Sequence, residues 1–151
     1  MKTMICLENV SYSQFNYEAI TQVNRFCEQS NEEVCFVTLD QTMPFTQINT
    51  AVYAPYDMDS FHNGLIIAHT LNLANRMLGC TNNSKKVLYL YDLDWMFQPI
   101  FYDEIYSILN NPDLFLIARS QDHADIIQRT CSRKVDAILD NFNLEDIWNS
   151  L

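Results

Sequence analysis

Short unbroken apolar runs alternate along the chain with stretches whose apolar positions recur every three or four residues. Met4–Leu7 is the first such run and reads as a strand. A loop over Asn9–Phe15, rich in Ser, Asn and aromatic residues, separates it from a helical pattern. In that pattern Ala19, Ile20, Val23, Phe26, Cys27 and Ser30 fall on one side, and Glu18, Arg25 and Glu28 on the other. Val34–Leu39 is a second strand. Gln41–Asn49 contains Pro44 and reads as loop, and Ala51–Ala54 is a short third strand that Pro55 ends.

The longest helical pattern spans Ser60–Leu78. Asp59 or Ser60 is placed to cap it and Gly79 to close it. Its apolar stripe is Ile67, Leu71, Ala74 and Leu78, widened by Ile66, Leu73 and Met77, with His62, His69, Asn72 and Arg76 on a polar stripe. After a turn at Asn82–Ser84, Val87–Tyr91 is a continuous apolar strand, the signature of a strand covered on both faces. A short helix over Tyr102–Asn110 would bury Ile105, Ile108 and Leu109. Leu114–Ala118 is another continuous strand, followed by a helix capped by Ser120 that buries Ala124, Ile127 and Cys131. Val135–Leu139 is the last strand, and Asn143 caps a closing turn.

Repeated strand–helix alternation with continuous apolar strands predicts a Rossmann-like three-layer α/β/α sandwich with a mostly parallel sheet. The six strands are expected in the order 3-2-1-4-5-6, with the topological switch point between Met4–Leu7 and Val87–Tyr91. No linker or repeat divides residues 1–151, so one domain is expected.

Composition sharpens this picture. Of 151 residues, 48% are hydrophobic and 13% aromatic, which excludes a disordered chain. The formal charge of −10 disfavours nucleic acids and anionic membranes as partners. The opening residues lack the apolar length of a signal peptide and no window is long enough to span a membrane, so a cytoplasmic location is expected. Cys6, Cys27, Cys35, Cys80 and Cys131 are scattered without a C-x-x-C pair. They read as reduced core thiols rather than zinc ligands or disulfides. Only two glycines occur, where about ten are usual for this length.

In a sheet of this kind ligands bind beyond the carboxyl ends of the strands, which nominates four segments. The first, Glu8 to Phe15, holds no glycine, and Glu8 would repel a phosphate. No G-x-x-x-x-G-K-[ST] occurs either, so no nucleotide cofactor is expected. Asn9, Ser11 and Tyr12 are instead candidates to contact a sugar or another neutral polar group. Asp92 and Asp94 share a face of an extended segment and are candidates for general acid–base work. Metal binding through them is the weaker alternative, and no metal is expected. His62, where the long helix begins, is a further catalytic candidate near the ligand edge. Its helical neighbour His69 lies about 10 Å further along the axis, too far for a shared metal. Arg119 and Ser120 open the helix after the fifth strand. Ser120 caps it, and with Arg119 it is a candidate to face an anion. Ser120, Asp122 and His123 are too crowded for a catalytic triad.

The run LFLIARSQDHA over 114–124, followed by KVDAILDNFN over 134–143, is similar to the end of the N-terminal, acceptor-side domain of GT-B glycosyltransferases. The resemblance maps the family's helix-starting serine onto Ser120, its helix onto 121–129 and its strand-end asparagine onto Asn141. It implies an acceptor-binding half without the nucleotide-sugar domain. His62, Asp92 and Asp94 are the candidates by position for a catalytic base. The family's glycine-containing loop after the first strand is missing. The compact isolated half also resembles products of large tailed-bacteriophage genomes, which would place it in the host cytoplasm.

Two functions follow from these readings. The first is a non-catalytic or degenerate glycosyltransferase-like domain that binds another protein chain, with Trp95 and Trp148 near its surfaces. The second is the acceptor half of a split transferase whose donor domain is a separate chain. A metal-dependent phosphatase or nuclease built on Asp92 and Asp94 is weaker, since only Glu8, Asp57 and Asp59 remain to complete its ligands. An exposed sheet edge or aromatic patch leaves room for a homo-oligomer.

Overall fold

The computed structural model describes residues 2–40, 42–97 and 102–151. Met1 and Gln41, the first residue of the loop expected over Gln41–Asn49, lie outside them. Among the described residues seven strands form one sheet: β1 (Thr3–Leu7), β2 (Val34–Thr38), β3 (Ala51–Tyr53), β4 (Leu65–Ala68), β5 (Lys85–Leu90), β6 (Leu114–Ala118) and β7 (Ala137–Ile138). Their order is β3-β2-β1-β4-β5-β6-β7, and every pair is parallel. The fold is therefore the expected three-layer α/β/α arrangement, and the six expected strands keep their relative order.

The correction is β4. The sequence pattern over Ser60–Leu78 predicts one helix, whereas the chain makes a strand there and then α2 (Leu71–Gly79). Ile66 and Ile67 explain the choice. They are adjacent and β-branched, and each is buried on a different face of the sheet, as the twofold periodicity of a strand requires. Thr70, not Asp59 or Ser60, caps the helix by accepting from the Leu73 amide at 3.3 Å. Gly79 is its last residue and has no positive φ, so it supplies no left-handed cap. The switch point accordingly lies between β1 and β4, with β4 inserted between β1 and the Lys85–Leu90 strand.

The first helix, α1 (Gln14–Gln29), and the last, α5 (Leu144–Ser150), cover one face. Phe15, Ala19, Ile20 and Val23 join Leu144 and Ile147 there over Ile5, Leu7, Ile67 and Tyr89. The other face carries α2, α3 (Tyr102–Leu109) and α4 (Gln121–Cys131) over Ile66, Leu88, Leu90 and Leu116. Within the β2–β3 connection, residues 42–50 form an irregular loop that packs Phe45 and Ile48 on the α1 side. Ser120 and Asn143 cap α4 and α5 as the sequence predicts. All five cysteines are free thiols, with Cys6, Cys80 and Cys131 buried. Among the described residues no helix is long and apolar enough to cross a membrane.

Chain closure is built on polar ties. The Trp148 indole N–H donates to the buried Thr3 hydroxyl at 3.1 Å, fastening α5 to the start of β1. Before β4, Asn63 takes a left-handed φ of 58°. Gly64 then passes so close to the Lys2 carbonyl that an added Cβ would meet that oxygen at 2.8 Å. Around Gly79 a Cβ meets nothing within 4 Å. The two glycines should therefore respond oppositely to alanine in urea unfolding. Gly64→Ala is expected to lose about 1–3 kcal/mol by overpacking against backbone. Gly79→Ala is expected to gain about 0.5–1 kcal/mol from helix propensity.

Candidate functional site

Because α1 leaves β1 toward one face and α2 leaves β4 toward the other, a crevice opens between their carboxyl ends. Two side-chain pairs bridge it. The Thr70 hydroxyl donates to Glu8 Oε1 at 3.1 Å, and the Phe15 ring stacks on His69 with centroids 4.0 Å apart. Phe15 also sits edge-on to Tyr91 and Phe142, both at 5.3 Å, so the α1 side of the crevice is a packed aromatic cluster. A pyrophosphate would meet the Glu8 carboxylate and a ring here. A nucleotide-binding turn would instead present bare backbone N–H groups.

The α2–α3 side is open. It holds a cleft of about 400 Å³ lined by Glu8, His69, Thr70, Asn72, Asp92, Asp94, Trp95 and Glu104, floored by Leu90, Ile105 and Ile108. Four carboxylates face this space, and no lysine or arginine lines it among the described residues. Burial pushes the His69 imidazole down to about 3, so at neutral pH it carries no charge to offset them. The buried His69 Nε2 and Trp95 Nε1 have no hydrogen-bond partner among the described residues. Asn75 holds Glu104 in place by donating to its Oε1 at 2.9 Å, which also ties α2 to α3.

Asp92 and Asp94 do line this cleft, but not as an extended pair. The strand has already ended, and Asp94 opens a single 3-10 turn, Asp94–Phe97. Asp92 Oδ1 accepts from the Asp94 amide at 3.2 Å, so this carboxylate caps that turn. Burial, then the neighbouring Asp94 and Glu8 charges, raise the Asp92 pKa, against the lowering effect of the Asp94 N–H and of His123. Among the described residues, no group of three or more His, Cys, Asp or Glu side chains is arranged to hold a metal ion.

The other candidates are dispersed. His62 precedes β4, not α2. It lies at the amino edge of the sheet, where it lines a separate hollow of about 810 Å³ with Lys2, Glu33 and Asp57. The whole length of β4 separates it from His69 and the acidic cleft. Asn9 and Ser11 turn inward on their own loop: Asn9 Oδ1 accepts from the Ser11 amide at 3.0 Å. Asn16 Nδ2 donates to both of their carbonyls. Tyr12 is exposed and edge-on to Phe45 at 5.5 Å. Arg119 lies over the Tyr91 ring at 4.3 Å on the α1 side. Tyr91 in turn donates to Glu18 at 2.7 Å, and burial followed by that carboxylate pushes its phenol up to about 12. Ser120 Oγ is occupied by the His123 amide at 3.2 Å. The sequence reading placed Thr70 and His69 within a helix and did not weigh Asn72 or Glu104 as cleft residues. The signal that would have found the first two is Gly64 followed by an unbroken apolar run, which marks a strand and puts Thr70 at a helix start.

In comparisons with known proteins, no family model matches the chain, and neither a curated protein nor a solved structure matches it. What stands of the glycosyltransferase resemblance is the Rossmann-like fold with its parallel sheet.

The raised Asp92 pKa has a consequence for stability. Its charged form is disfavoured in the folded state, so the stability of the native protein relative to an Asp92→Asn variant falls as pH rises through the carboxyl range. Thermal unfolding should show the variant slightly more stable than wild type at pH 7, the Asn oxygen still capping the turn. The difference should vanish below about pH 3, under the unfolded carboxyl's own titration, where the group is neutral in both states.

Proposed function

We propose that the chain is a non-catalytic binding domain that docks another protein chain on the carboxyl edge of its sheet. The observation that carries this reading is the cleft at the switch point, with four carboxylates and no lysine or arginine among its described lining residues. A basic side chain of a partner supplies the missing charge, and desolvation in a cleft makes such pairs strong determinants of partner choice. Apolar side chains stand exposed along the same edge: Tyr12 is 73% exposed, Met43 90% and Phe97 83%. Aromatic and methionine side chains of this kind form the apolar centre of protein interfaces, with charges at the rim. The reading includes a degenerate glycosyltransferase half retained as an assembly or regulatory module.

The test is capture of a partner by the full chain, compared with an Asp92→Lys/Glu104→Lys variant. The partner is expected to bind native protein, to be released as salt rises from 0.05 to 0.5 M, and to bind the variant at least tenfold more weakly. Capture that ignores both salt and charge reversal would contradict the reading, as would tight binding of a sugar nucleotide by the chain alone.

A second reading, the acceptor-binding half of a split GT-B transferase, is favoured by one observation: the Asp92 carboxyl in the cleft has a raised pKa. Such a group suits the abstraction of a hydroxyl proton. In transfer assays reconstituted with a separate nucleotide-sugar-binding chain, Asp92→Asn would lower kcat about 10²–10⁴-fold. His62→Ala, altering the opposite edge, would leave it unchanged. Equal activity of Asp92→Asn and wild type removes this reading.

A further inference from the structure

Residues 41–56 contain no Asp, Glu, Lys or Arg, in a chain that carries a net charge of −10. The segment contains β3, which pairs with β2 on one side and is the edge of the sheet on the other. All three of its residues are exposed, Val52 by 44% and Tyr53 by 47%, and Tyr56 just beyond it by 76%. Edge strands in soluble proteins are usually guarded by a lysine, an internal proline or a bulge. None stands within Ala51–Tyr53, and Pro55 only ends the strand. The opposite edge is different: β7 has two residues and is flanked by Lys134, Asp136 and Asp140.

We propose that two copies of this chain pair antiparallel along β3, with Val52 opposite Val52 of the second copy on a twofold axis. The proposal is independent of the carboxyl-edge reading, because it uses another edge of the sheet. Charge selects the occupant. Two chains of −10 repel wherever their acidic groups face each other, so they meet most favourably through a segment that has none. Glu33 and Asp57 line the hollow beside Ala51 and Tyr53 but lie outside the uncharged segment, so the strand itself gives a basic partner no carboxylate to pair with. The register is self-complementary as well. Centring on Val52 sets each Tyr53 across from an Ala51, a large side chain against a small one, with the β-branched pair between them. A two-fold contact of this kind closes, which stops the exposed edge from recruiting further chains.

Sedimentation of the full chain tests this. At tens of micromolar the wild type is expected to sediment as a dimer of the 17.7 kDa chain. Association should tighten with added salt, because screening relieves the like-charge repulsion. Val52→Lys is expected to weaken it at least tenfold while leaving the unfolding midpoint near wild type; Ala51→Lys serves if that variant fails to fold. Ile138→Lys, on the other edge, is expected to leave the dimer intact. Mixing Val52→Lys with Val52→Glu chains should restore the dimer, since the two charges would then face each other. A monomeric wild type at 200 µM in 0.5 M salt would overturn the proposal. So would a dimer that survives Val52→Lys, or Val52→Lys and Val52→Glu chains that do not recover when mixed.

Discussion

A carboxylate at the topological switch point governs how this fold can be used. Glu8 follows β1, where nucleotide-binding relatives of the architecture need a glycine turn and free N–H groups. Its Oε1 accepts from Thr70, the residue that caps α2. That single bond joins the carboxyl ends of β1 and β4 across the crevice. With Phe15 stacked on His69 beside it, the α1 side is filled and the α2–α3 side is left as an acidic cleft. A backbone that commonly receives phosphates thus presents the opposite electrostatic preference.

Three of the four carboxylates in the cleft have a local structural reason to be there. Glu8 accepts from a hydroxyl, Asp92 caps a turn, and Glu104 sits in the first turn of α3, where the helix dipole favours an acid, and accepts from Asn75. None of these partners is a cation. Three of the four carboxylates are thus held by neutral hydrogen-bond donors. His69 does not change this, because burial keeps its ring uncharged. Structural roles and the acidity of the cleft therefore reside in the same side chains.

Much of the architecture was legible in the chain because parallel strands covered on both faces need continuous apolar runs. Thr3–Leu7, Val34–Thr38, Lys85–Leu90 and Leu114–Ala118 all carry such runs. The helices declared themselves through caps at Ser120 and Asn143 and through the buried positions of α3 and α4. Leu65–Ala68 was not legible, since four apolar residues next to a true helix extend its three-and-four spacing without a break. That one misreading moved His62 to the wrong end of the molecule and concealed Thr70 as a cap. Asp92 and Asp94 could be placed at a strand's carboxyl end because they directly follow the apolar run Val87–Tyr91. Glu104, which α3 brings into the same cleft, has no local signal, because only tertiary packing places it there.

The two tryptophans offer a direct measurement of the central claim. Trp95 lines the acidic cleft with its indole N–H unpartnered among the described residues, whereas the Trp148 N–H is bound to Thr3 beside α5. In a heteronuclear NMR titration of the full chain, tetralysine amide should shift the Trp95 indole resonance and leave that of Trp148 in place. Uridine diphosphate should shift neither. A Trp95 response to the diphosphate, with none to the cationic peptide, would contradict an acidic cleft built to receive positive charge.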